Sequence, residues 1–234
     1  MESAVQEHGA SRAAWREELA ALLALGVPMA ATQLIQFSVM TVDVLMIGRL
    51  GPEPLAASSL GLVIFFAAWL VGFGPAMAVS PLVSQALGAN PDDVDDVRIS
   101  VRMSLWAIGL LAPLVSIGFL FASDIARALG QPENLARLAG PYVIALAPGW
   151  AFAMGVIILR NFLAAIGETR APLVIVIGTT VMNAFLNWLL IYGNWGFPRL
   201  ELVGAGVASS IVNAGGFVAL VLFIRADRRG KRFG

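Results

Sequence analysis

A single carboxylate interrupts a long apolar stretch of this chain. Asp43 follows 24 residues (19–42) that contain neither acid nor base, and Val44-Leu45-Met46-Ile47 comes directly after it. Such a side chain can take up a proton, ligate a hard cation through oxygen, or attract an organic cation. Gln33, Gln36 and Met40 precede it at spacings of three, four and three, which puts all four on one helical stripe. Further along, Asn183 and Asn187 are four residues apart, with Thr179 and Thr180 one turn earlier on the same side. Amide oxygens so spaced can ligate a hard cation or anchor a protonated carboxyl, and the same amides can also serve as hydrogen-bonding glue between helices.

The elements that position these groups follow from composition. Of 234 residues, 59% are hydrophobic and 13% charged, where a soluble domain runs at about half apolar and about a quarter charged. The 15 basic and 15 acidic residues cancel, which excludes a basic nucleic-acid binder. Six runs without charge, 19–42, 55–90, 103–123, 138–159, 171–198 and 202–224, reach the length of about 20 residues that crosses about 30 Å of hydrocarbon. A β-barrel would show strands of about 10 residues with alternating polarity. The expected fold is therefore an all-α membrane protein, a six-transmembrane-helix bundle over 19–225, with a cytoplasmic tail at 1–18 and a basic tail or linker at 226–234. The first run is read as a retained span, because no separate apolar core precedes it. The absence of cysteine removes disulfides, thiolate metal sites and thiol nucleophiles. His8, in a polar tail, is read as a surface residue without ligand partners.

Orientation follows from the bases, which short cytoplasmic loops retain. With six spans, Arg12, Arg16, Arg98, Arg102, Arg160, Arg170 and the five bases from Arg225 onward share one side, while Arg49, Arg127, Arg137 and Arg199 lie on the other. Both termini are thus expected in the cytoplasm and the protein in the inner or plasma membrane. The segment from Asn90 through Pro91, Asp92 and Asp93 to Arg98 has the form of a helix start, with an Asn cap, an early proline and acids near the positive end of the dipole.

Fourteen of the fifteen acids fall in tails, loops or helix ends, and Asp43 is the exception. An ionised carboxylate near mid-bilayer costs roughly 2.5–3.5 kcal/mol, so it must face the bundle interior or water. Arg49 is six residues on and therefore on another helical face. A structural salt bridge to Arg160 or Arg102 is the alternative to a functional role. Gly204 with Ala208, Ala205 with Ser209 and Gly206 with Ser210 repeat a small-x-x-x-small spacing, which predicts a central sixth helix. Pro75, Pro81, Pro113 and Pro148 lie inside the spans, where each removes a backbone donor.

Several segments resemble the amino-terminal half of the multidrug and toxic compound extrusion (MATE) family. Thr41 to Gly51 (TVDVLMIGRLG) looks like the family's acidic helix and glycine turn, and Val83 to Ala89 (VSQALGA) is similar to its Ser/Ala-Gln-x-x-Gly-Ala signature. Arg160 to Pro172 (RNFLAAIGETRAP) resembles its Arg-x-x-Leu-x-Ala-x-Gly-x-Thr segment. Asn183 to Trp188, then Gly196, Pro198 and Gly204 to Ser209, resemble its fifth-to-sixth helix signature.

The resemblance implies efflux of organic cations and other amphipathic compounds, driven by H+ or Na+ through alternating access, in a fold of two six-helix lobes. This chain would supply one lobe and need a second, in the same chain, a separate chain or a homodimer. The basic end resembles an inter-lobe linker. Carried over by position, Asp43 would be the coupling acid, and the site for any Na+, with Asn183, Asn187 and Ser209 around it. Some relatives have an acid where Asn187 stands, so single-acid coupling is implied here. Gln36, Met40 and Thr180 are candidates for the substrate cavity, with methionines and Phe37, Phe65, Phe66, Phe73 and Phe185 as an adaptable apolar wall. The rivals are a lipid-linked saccharide flippase, which would carry several basic residues inside its cavity whereas none lies within the spans, and a non-transporting remnant or scaffold. An enzyme is disfavoured, because the spans hold no His, no Cys and one acid.

Overall fold

The computed structural model describes residues 2–90 and 94–227. Seven α-helices follow in order: α1 (Glu2–Gly48), α2 (Pro52–Ala89), α3 (Val94–Leu120), α4 (Ala122–Ala128), α5 (Glu133–Ala165), α6 (Arg170–Tyr192) and α7 (Glu201–Ala226), with a 3-10 turn at Asn194–Gly196 before α7. Six of them are long and apolar enough to cross a membrane, and only the seven-residue α4 is not. The helix at the amino terminus is continuous with the first span, so no break separates 1–18 from it among the described residues. Pro91, Asp92 and Asp93 of the expected helix start, and the bases from Arg228 onward, lie outside the described residues. Asn90, expected to cap the third span, closes α2 with its N–H donating to Ala86 O at 3.0 Å, while Asp95 and Asp96 occupy the first turn of α3.

Local chemistry sets the helix ends. The turn after α1 closes with Leu50 N–H donating to Ile47 O at 2.9 Å, and Gly51 takes φ +122°, a conformation L side chains avoid. Pro52 then opens α2 at a position that needs no N–H, with Glu53 in the first turn. Gly193 ends α6 in the left-handed region, φ +71°, its N–H donating to Leu189 O.

The centre of the bundle is α5, not α7 as the small-residue spacing predicts. More than half of the most apolar window of α5 is buried (56%), against 22% for α7. Trp150, Met154 and Ile158 of α5 meet Ala76, Val79 and Val83 of α2, Val97 and Ile108 of α3 and Leu220 of α7 in one core. The small residues of α7 permit close approach to its neighbours instead. A Cβ on Gly204 would sit 2.6 Å from Leu190 O of α6, and one on Gly206 would sit 2.9 Å from Tyr142 O of α5. Spacing reveals that a backbone comes near, but not whether the helix carrying it is surrounded.

Pro75, Pro81, Pro113 and Pro148 all lie inside continuous helices. In α5 the turn around Pro148 is completed from outside. Ser210 Oγ donates to Ala145 O at 2.6 Å and accepts from Gly149 N–H at 3.1 Å, so the hydroxyl is inserted into that rung of the helix ladder. Asn161 Nδ2 likewise donates to Ala76 O, 2.8 Å away, in the stretch of α2 between its two prolines.

The outer surface is apolar. Leu34, Leu110, Leu114, Val174 and Val181 stand exposed, a surface water would not tolerate over so wide an area and lipid would. At the end of α6, Trp195 packs edge to face against Phe185 and Trp188, which stack on each other; aromatic rings are enriched at membrane interfaces.

Candidate functional site

Asp43 lies near the end of α1, half-buried against α6. Asn187 Nδ2 donates to Asp43 Oδ1 at 2.5 Å and to Asn183 Oδ1 at 3.1 Å, spending both amide protons in one chain of three side chains. The four-residue spacing on α6 aligns the two asparagines, and both are buried. Asn187 Oδ1 is itself buried with no hydrogen-bond partner, so an oxygen lone pair is left beside the carboxylate. One turn beyond, Tyr192 Oη donates to Met46 O at 2.9 Å and ties the same two helices together.

Among the described residues, no basic side chain forms an ion pair with Asp43. The salt bridge to Arg160 or Arg102 is absent: Arg102 is exposed on α3, and Arg160 faces cavities that Asp43 does not line. The carboxylate is therefore held by dipoles, which stabilise it without neutralising it. Carboxylate and amide oxygens are the ligands a hard monovalent cation prefers, and the same carboxyl can instead take up a proton. Among the described residues no cluster of three or more His, Asp or Glu would hold a metal ion.

The other sequence candidates divide. Gln36 lines both of two adjoining cavities, of about 390 Å³ and 200 Å³, and Thr180 lines the smaller while donating to Val176 O. Met40 is exposed on α1. Ser209 is half-buried on α7 and makes no hydrogen bond to the Asp43 cluster; its neighbour Ser210 has the bonded hydroxyl, directed at α5. Of the apolar wall, Phe73 and Met77 line the larger cavity, Met154 is core, and Phe37 and Phe66 face outward.

Three polar residues of the cavities escape a pattern search. Arg160 falls one residue after a charge-free run, so sequence assigns it to a loop; α5 continues to Ala165 and carries it into both cavities. Asn161 follows it, and Asn213 of α7 lines both cavities. A charge-free run stops at the first charge, whereas α5 continues through Arg160 and Asn161 to the buried Phe162 and Leu163.

Six spans, with one carboxylate held by an amide between two of them, define a polytopic helical membrane protein. Comparison with known proteins gives the same class. The MatE family model matches residues 28–189. A probable multidrug resistance protein NorM of Bradyrhizobium diazoefficiens is 41% identical over 213 residues, 91% of this chain and 45% of that protein. One of Rhodopseudomonas palustris is 40% identical over 87% of this chain and 43% of its own length. The chain spans about half the length of the curated relatives it matches. Among solved structures, the eukaryotic MATE transporter AtDTX14 superposes with a TM-score of 0.83 at 20% identity, covering 93% of this chain and 47% of that one. An outward-facing MATE family multidrug resistance transporter of the MOP superfamily gives 0.78 at 21% identity, over 89% and 45%. At that identity the structures establish the fold, one lobe of the twelve-helix architecture.

The chain belongs to the MATE family. That family consists of membrane transporters and not enzymes.

Proposed function

We propose that this chain is the amino-terminal lobe of a cation-coupled antiporter that exports drugs or toxic organic cations by alternating access. The observation that carries the reading is the Asp43 carboxylate held by Asn187 with no basic partner. Because its charge is not cancelled, a proton, a sodium ion and an organic cation compete for it. Competing ligands that bias opposite states are the requirement for exchange.

Asp43, Asn187 and Asn183 form the coupling site in this reading. The buried, unpaired Asn187 Oδ1 supports a sodium ion held between amide and carboxylate oxygens, and protonation of Asp43 would serve in its place. Gln36 and Thr180 belong to the substrate path, and Met40 and Ser209 to its margins. Both termini lie in the cytoplasm, the bundle spans 19–225, and a second six-helix lobe completes the alternating-access machine. The relatives named as multidrug resistance proteins support the substrate class. A flippase reading gains little, since Arg160 is a single base where pyrophosphate would call for several.

The test is Asp43→Asn in the full-length transporter reconstituted into proteoliposomes, with drug efflux measured under an imposed proton gradient and an imposed sodium gradient. Efflux driven by at least one gradient is expected to fall to background in the variant. Unchanged gradient-driven efflux would overturn the reading.

A further inference from the structure

Arg160 is a charge without a counterpart. It is half-buried in α5 and lines both adjoining cavities, and among the described residues it forms no ion pair and no hydrogen bond. Glu168 lines the larger cavity too, but its Oε1 accepts from the N–H groups of Arg170 and Ala171 at 3.1 and 3.2 Å and caps α6. A half-buried guanidinium that makes no ion pair keeps its charge available to a ligand. Its planar fork of donors matches a carboxylate or a phosphate oxygen pair.

The surroundings say more about the occupant. The cavity holds about 390 Å³, in the size range of small-molecule sites. Trp69 and Phe73 of α2 present aromatic surface to it, and Gln33, Gln36 and Asn213 bring amides from α1 and α7. Aromatic walls, amide donors and one unpaired guanidinium suit a flat apolar body with a single anionic head. The site is distinct from the coupling carboxylate, which lines neither cavity; along α1, Asp43 stands about 10 Å beyond Gln36.

We infer that the cavity between α1, α2, α5 and α7 is an anion-recognition subsite in which Arg160 binds the carboxylate or phosphate head of an amphipathic molecule. It deepens the transport reading by adding a second requirement on the cargo, a negative head besides any positive one. It rests on that reading only for what happens after binding, and the experiment below measures binding alone. A failure here is therefore separable from a failure of Asp43 to couple.

The probe is 2-naphthoate, with the isosteric neutral 2-naphthamide as reference, titrated calorimetrically into the full chain in a neutral detergent. The unmodified protein is expected to bind the acid at least about tenfold more tightly than the amide. Arg160→Gln is expected to abolish that preference, Arg160→Lys to keep part of it, and Arg102→Gln, on the exposed face of α3, to leave it intact. Equal affinity for acid and amide in the unmodified chain, which needs no variant to fold, overturns the proposal. So does a preference that survives Arg160→Gln. Dioctanoyl phosphatidylglycerol forms the second arm: Arg160-dependent displacement of naphthoate supports a lipid headgroup as the natural source. Arg160-dependent naphthoate binding that this lipid does not displace supports a free organic acid.

Discussion

Asn187 donates one amide proton to Asp43 and the other to Asn183, so the carboxylate of α1 is fixed by a side chain of α6 whose own orientation is fixed one turn away. The arrangement leaves the charge of Asp43 in place and binds the two helices through it.

Replacing Asn187 with leucine would strip the carboxylate of its donor while keeping the branched shape of the side chain. Leaving a part-buried acceptor unsatisfied costs about 1–3 kcal/mol, so the variant is expected to unfold at a lower temperature in detergent, with the loss smaller at low pH, where a protonated carboxyl no longer needs a donor. The double variant with Asp43→Asn should recover part of it. Thermal unfolding of the four proteins in the cycle measures the coupling.

Binding of tetraphenylphosphonium should strengthen as pH rises, because ionised Asp43 attracts the cation and the protonated form does not. Added sodium should weaken it competitively if sodium shares the site. In Asp43→Asn the pH dependence should vanish. Equilibrium binding across a pH series reads both effects.

Ser210→Ala would leave Ala145 O and Gly149 N–H of α5 without the hydroxyl that joins them. A loss of about 1–3 kcal/mol is expected, whereas Ser209→Ala, with no bond to lose, should stay within about 0.5 kcal/mol. Comparing the unfolding midpoints of the two neighbouring variants isolates the inserted hydroxyl from general effects on α7.

Gly204→Ala would place a Cβ 2.6 Å from Leu190 O, and backbone cannot move aside cheaply. Overpacking of this kind costs about 1–3 kcal/mol. Gly109→Ala, with nothing within 4 Å of its Cβ on the exposed side of α3, should be neutral or gain up to about 1 kcal/mol from helix propensity. Opposite signs in thermal stability are the expected result.

Much of the architecture was legible without coordinates because lipid imposes it. Backbone polar groups in hydrocarbon must be satisfied within the helix, so the charge-free runs had to become α1, α2, α3, α5, α6 and α7. An acid within the first of them had to be held away from lipid, which singled out Asp43, and the four-residue spacing already placed Asn183 and Asn187 on one face. What the runs could not state is which helices touch. That α6 is the partner of α1, so that Asn187 meets Asp43, depends on packing between residues 144 positions apart. Choosing between Ser209 and Ser210 required the rotation of α7 against α5, since neighbouring residues on a helix point about 100° apart. The place of Arg160 required knowing that α5 runs past the end of its charge-free run and that other helices form a cavity there. Composition and periodicity are properties of one segment at a time and fix what each must bury. Contacts between segments arise only when the helices choose one arrangement, and the carboxylate's partner, the bonded serine and the unpaired guanidinium all belong to that choice.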